Sequence, residues 1–148
     1  MRFGDFHAGQ QLRAGPVTLS QAQIVAYARD FDPQWFHVDP AAAAAGRHGG
    51  LIASGWQTCG VAMRLAVDQF LHDSESFGSP GLAYLRWPHP VRPDDSLTLL
   101  ADVLQTRVSR SNPTIGILRW RWRLANQRGV DVLDLEATSL FELPAPGA

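Results

Sequence analysis

Cysteine is almost missing from this chain: Cys59 stands alone in 148 residues, so no disulfide can form within it. That usage fits a reducing compartment. A surplus of charge is missing too. Thirteen basic residues against fourteen acidic ones leave a formal net charge of −1, so no global field draws the chain to nucleic acid or to an anionic membrane. There is no long hydrophobic run. The longest mostly apolar stretch, 56–71, contains Arg64 and Asp68 and is shorter than the roughly 20 residues needed to span a bilayer. The first ten residues hold Asp5 and two glycines but no apolar block, which argues against a secretory signal. The five histidines are scattered, with neither H-x-x-x-H nor C-x-x-C spacing, so no metal site is expected and no cofactor is called for. These absences lead us to expect a cytoplasmic protein with no nucleic-acid and no membrane partner.

What is present is a globular composition, 45% apolar and 18% charged, long enough to build one ordinary core without staples. No repeat or linker divides it, so residues 1–148 are read as one domain. The first half reads as helical. After a short strand over 11–17, Ser20 and Gln23 have capping-box spacing, with Leu19 placed to staple to Ile24. Ile24, Tyr27, Ala28 and Phe31 mark one apolar face, and Asp32-Pro33 stops the helix because a residue before proline leaves the α region. Asp39, Pro40 and Gly46 bracket a short second helix as N-cap, first residue and stop. Ser54 precedes a longer helix that runs to about Leu71, where Cys59, Ala62, Met63, Ala66 and Phe70 line one face and Val61, Leu65 and Val67 widen it, which predicts burial and an inert thiol. From Leu82 onward the period changes to two. Leu97, Leu99, Ala101 and Val103 alternate with polar neighbours, as do Leu118, Trp120, Trp122 and Leu124, and Leu133, Leu135, Ala137 and Ser139. Asn126-Gln127-Arg128-Gly129 reads as a hairpin turn. One long helix and about five antiparallel strands predict an α+β fold, with a sheet wrapped around the helix.

The segment Asp30-Phe31-Asp32-Pro33-Gln34-Trp35-Phe36-His37-Val38-Asp39 carries the most chemistry. It sets a carboxylate and an imidazole five residues apart, between two expected helices. Such a pair can hold a water and move its proton in both directions. Taken alone, Asp32 also serves as a plain helix terminator and His37 as an ordinary hydrogen-bonded residue. The eight residues from Asp32 to Asp39, however, resemble the signature of the MaoC-like dehydratase, or R-specific enoyl-CoA hydratase, family. That signature runs Asp, any residue, Asn or Gln, Pro, an apolar residue, His, any residue, Asp. It aligns without a gap, and Trp35 is the departure, standing where the family has proline. Leu51-Ile52-Ala53-Ser54-Gly55-Trp56 resembles the family's loop into its central helix. Arg86-Trp87-Pro88-His89-Pro90-Val91-Arg92-Pro93-Asp94-Asp95-Ser96-Leu97 resembles the strand, proline-bounded turn and strand restart that follow. Ser109-Arg110-Ser111 and Asn126-Gln127-Arg128-Gly129 resemble late-strand and hairpin positions. The likeness covers nearly the whole chain, in order.

The resemblance implies a hotdog fold, a homodimer, and a substrate that is a thioester of coenzyme A or acyl carrier protein. The implied reaction is the addition or removal of water between 2-enoyl and (R)-3-hydroxyacyl thioesters. Asp32 and His37 match the residues that hold the attacking water. Ser54 and Gly55 match the segment that supports the site and binds the thioester oxygen. Gln34 matches the residue that steadies the histidine. Physical reasoning agrees for Gly55, because the first turn of a helix collects unpaired N–H groups and the positive dipole end. Trp35 and Trp56 suggest a pocket that is short, or shaped for a branched or polar acyl group. His48 is read as an exposed loop histidine near that pocket.

Three other readings compete. A hotdog thioesterase would bind the same kind of substrate, and a non-catalytic acyl-thioester-binding protein would keep the pocket alone. Arg119-Trp120-Arg121-Trp122-Arg123 interleaves charge and aromatics as single-strand nucleic-acid binders do. A strand instead puts tryptophans on one sheet face and arginines on the other, where the arginines would be exposed or would meet phosphates of coenzyme A.

Overall fold

The computed structural model describes residues 1–147. Five strands form one antiparallel sheet: β1 (Gln11–Thr18), β2 (Ser76–Arg86), β3 (Ser96–Val108), β4 (Ile115–Ala125) and β5 (Asp131–Glu142), in the order β1-β3-β4-β5-β2. Four helices precede β2 in the chain: α1 (Gln21–Phe31), α2 (Trp35–Val38), α3 (Pro40–Ala45) and α4 (Gly55–Ala66), the last continued by a wider π-type turn, Val67–Leu71. The expected antiparallel sheet around one long helix is present, and the fold is α+β of the hotdog type. No helix among the described residues is long and apolar enough to cross a membrane.

The alternation seen in the sequence is what builds the core. Leu97, Leu99, Ala101 and Val103 of β3, Leu118, Trp120, Trp122 and Leu124 of β4, and Leu133, Leu135, Ala137 and Phe141 of β5 are all buried. They share one cluster with Ala62, Ala66 and Phe70 of the helical segment. The alanines matter because a small side chain lets the helix approach the sheet closely. Trp120 is the largest wholly buried residue. Its ring meets Phe6 and Trp122 edge-on at 5.5 and 5.1 Å, and its Nε1 donates to Ser139 Oγ at 3.2 Å. Truncating such a residue to alanine costs on the order of 3–5 kcal/mol. The intervening arginines lie on the other face, and each meets an acid: Arg119 with Glu136, Arg121 with Asp134, Arg123 with Asp102. They hold the outer sheet surface together and line no cleft with the Asp32–His37 pair.

The caps formed as read. Ser20 accepts from Gln23 N–H and Gln23 answers to Ser20 N–H. Asp39 accepts from Ala42 N–H. At the hairpin, Asn126 Oδ1 takes the N–H groups of Arg128 and Val130, and Gly129 supplies the positive φ of +73°.

Four local expectations need correction. Phe31 does not continue the buried stripe of α1: it is 74% exposed and stacks on Tyr27 at 5.1 Å, because the helix leaves the body just before its stop. Helix α4 is not buried all round, since Trp56 and Met63 face outward. Residues 35–38 form a helical turn, α2, which is too short to show a period. Strand β2 begins at Ser76, six residues before Leu82. Its first half, Ser-Phe-Gly-Ser-Pro-Gly, has no alternation, and an edge strand tolerates proline because one of its sides pairs with nothing.

Candidate functional site

The site is assembled where α1 stops. Pro33 expels Asp32 from the helix, and Asp32 takes the C-cap position with its N–H on Ala28 O at 2.8 Å. Gln34 then opens α2, which turns His37 inward to 4% exposure. The extended segment before α4 clamps this turn. Ile52 N–H donates to Phe36 O at 3.2 Å, and Ile52 O accepts from His37 Nδ1 at 2.7 Å. Ala53 N–H donates to Val91 O at 2.9 Å, which ties the same segment to the turn after β2.

His37 Nε2 and Asp32 Oδ2 stand 3.2 Å apart. Gln34 Nε2 donates to the other oxygen, Oδ1, at 2.8 Å. Partial burial pushes the Asp32 carboxyl up, but Gln34, Ser54 and His37 together outweigh it and hold the pKa below its ordinary 3.8. Ser54 is wholly buried, and its hydroxyl makes no hydrogen bond of good geometry. It does not cap α4 as its N-cap position suggested. It lies close enough to Asp32 to favour the ionised carboxylate. With no side-chain cap, the first-turn N–H groups of α4 keep their capacity to bind something else.

Asp32, His37 and Gly55 line one cleft of about 350 Å³. The fold places these three sequence candidates at one cleft. Gln34 touches the cleft only through Asp32, and Asp30, two residues earlier, is exposed. Trp35 does not shape the cleft: its ring covers Gly46, where a Cβ would stand 2.6 Å from it. Trp56 does line it, together with His48, Trp87 and His89. Trp87 and His89 were missed. Their only sequence signal is the run of prolines that makes the turn rigid. Cys59, one turn beyond Gly55, is half-buried, and burial pushes its thiol up despite a contact with Trp87, the state of an inert cysteine. No group of three metal-ligating side chains occurs among the described residues.

A family model for the MaoC like domain matches residues 5–116. The chain belongs to the MaoC-like family. It is 30% identical over 142 residues to the uncharacterized protein YdeM of Bacillus subtilis (strain 168), covering 96% of this chain and 99% of that one. Its fold superposes on a MaoC-like dehydratase from Rhodospirillum rubrum with a TM-score of 0.88 and 36% identity, over 96% and 97% of the two chains. It also superposes on an (R)-hydratase from A. caviae involved in PHA biosynthesis, with a TM-score of 0.69 and 25% identity, over 94% and 98%. Of the eight residues Asp32 to Asp39, Asp32 and His37 line the cleft.

Proposed function

We propose that this protein, acting as one domain over residues 1–148, is a hydro-lyase that interconverts 2-enoyl and (R)-3-hydroxyacyl thioesters of coenzyme A or acyl carrier protein in the cytoplasm. The observation that carries this reading is the contact of His37 Nε2 with Asp32 Oδ2 at the wall of the cleft. Nδ1 is committed as donor to Ile52 O, which leaves Nε2 as the ring nitrogen that meets Asp32. Asp32, held ionised, is an acceptor. A carboxylate and an imidazole side by side on a cleft can hold one water and exchange a proton with it.

Water oxygen then bonds to the β-carbon of the enoyl group. The C=C π pair moves to the α-carbon and on to the thioester oxygen, while one water proton passes to the Asp32–His37 pair. When the enolate collapses, the α-carbon takes that proton from the pair and the thioester carbonyl is restored, so one water is added in all and the pair returns to its starting state. Unpaired N–H groups at the start of α4, at Gly55, suit the oxygen on which charge develops. The kinship with an (R)-hydratase supports the R product.

The test is crotonyl-CoA. Hydration removes enoyl absorbance without releasing thiol, and chiral chromatography should give the R-3-hydroxy product. Release of free thiol would instead identify a thioesterase, and no reaction with any enoyl thioester would leave only a binding protein. We also propose a homodimer joined through β2. Among the described residues that strand pairs with β5 alone and exposes Phe77 and Leu82, and proteins pair or cover such edges. Light scattering should give twice the chain mass at micromolar concentration.

A further inference from the structure

Resting on the reading above, we infer that Trp87 is a specificity-determining residue whose indole walls the cleft and restricts the substrate to a short acyl group. Three contacts fix this ring. Its Nε1 donates to Gly55 O at 2.9 Å. Its ring lies directly on Gly55, where a Cβ would come within 2.5 Å of Cε2. Trp56 meets it edge-on at 5.3 Å. Only glycine at position 55 allows so close an approach, so the residue at the start of α4 and the wall fit each other. The ring leads into Pro88 and Pro90, which also line the cleft and lock φ on that segment. The wall therefore stands on a stiff turn. Trp87 remains 41% exposed, with room for one face to meet a ligand in the cleft. The cleft itself, about 350 Å³, is near the small end of the roughly 300–1,000 Å³ found for ligand pockets.

Each added methylene that a pocket rejects changes specificity by about tenfold or more. A fixed indole should therefore separate four-carbon from eight-carbon substrates. The experiment compares wild type, Trp87→Ala and Trp87→Phe in two ways: kcat/KM on crotonyl-CoA and 2-octenoyl-CoA, and calorimetric binding of butyryl-CoA and octanoyl-CoA, which needs no turnover. Wild type should favour the four-carbon member by about tenfold or more in both. Trp87→Ala should shrink that preference by about tenfold, mainly by gaining on the eight-carbon member. Trp87→Phe, which keeps an aromatic wall but loses the Nε1 bond, should retain most of it. A general loss of stability would lower both chain lengths alike and leave the ratio unmoved. Should Trp87→Ala lack a cooperative melting transition, Trp87→Leu takes its place. Equal wild-type preference for the two lengths, an unchanged ratio in the truncated variant, or no binding of either saturated thioester would each overturn the inference. A wild type that binds butyryl-CoA selectively yet hydrates nothing would support the wall and overturn the hydratase reading.

Discussion

Asp32 and Asp134 are both partly buried carboxylates held below their ordinary pKa of 3.8, yet they are held in opposite ways. Asp134 sits on the outer sheet surface. Arg121 grips both of its oxygens at 2.9 and 2.8 Å, and Tyr84 adds its hydroxyl at 2.9 Å. The Arg121 hydrogen bonds are the main cause of its low pKa, ahead of the opposing burial. Asp32 has no arginine. Burial works against it, and an amide, a hydroxyl and an imidazole must offset that. Asp134 is saturated by a permanent cation and has nothing left to give. Asp32 is kept ionised by neutral donors and one titratable ring, and it opens on a cleft. A low pKa alone therefore does not mark chemistry. What sets Asp32 apart is unspent acceptor capacity beside a cavity.

Breaking that contrast at its strong end should have the largest effect. Asp32→Asn and His37→Gln should each lower turnover on crotonyl-CoA by about a hundredfold or more, the scale of a lost acid–base group. The double variant should lose far less than the product of the two, because residues that act as a unit are not additive. Melting curves run alongside must stay in place, so that lost folding is not counted as lost chemistry. Independent, multiplying losses would break the idea of a single water seat.

Acid sharpens the comparison next. A carboxyl whose folded pKa is depressed contributes stability above its ordinary 3.8, and that contribution is lost as pH falls through the lower folded value. Both aspartates have this sign. Urea midpoints should hold from neutrality down to that region and then fall, and the fall should be shallower in Asp134→Asn. Turnover lost through Asp32 protonation should likewise appear only below 3.8.

At neutral pH, Asp134→Asn should lower stability by about 1 kcal/mol, since Arg121 is partly exposed and solvent screens the pair, while turnover stays at the wild-type level. Tenfold slower hydration by this variant would show the outer pair reaching the site. The smallest effect belongs to Asp30→Asn. Asp30 is exposed and two residues before Asp32, so stability should move by less than about 0.5 kcal/mol with turnover intact. A dead Asp30 variant beside an active Asp32 variant would reassign the aspartate.

How much of this was readable in advance depended on whether neighbours in sequence decide the outcome. The capping box at Ser20, the N-cap at Asp39 and the hairpin at Asn126 are satisfied by residues within four positions of one another, so their pattern is visible in the chain. Period two in β3, β4 and β5 needs only a buried face, and it predicted which residues those strands bury. The Asp32–His37 pair was legible because one stop and one turn bring residues five apart into contact.

Long-range partners decided the rest. Ile52 O, which fixes the orientation of His37, is a backbone atom fifteen residues away and leaves no side-chain signature. Trp87 meets Gly55 across thirty-two residues. Phe31 and Met63 match the periodicity of buried faces but lie where their helices have no neighbour to cover them. The sequence by itself determined the local turns, the strand faces and the nearness of Asp32 to His37, since propensity and spacing act over a few residues. Only the tertiary structure decided which tryptophan walls the cleft, how His37 is oriented and which apolar faces stay bare, because those depend on surfaces that meet only once the sheet has closed around the helix.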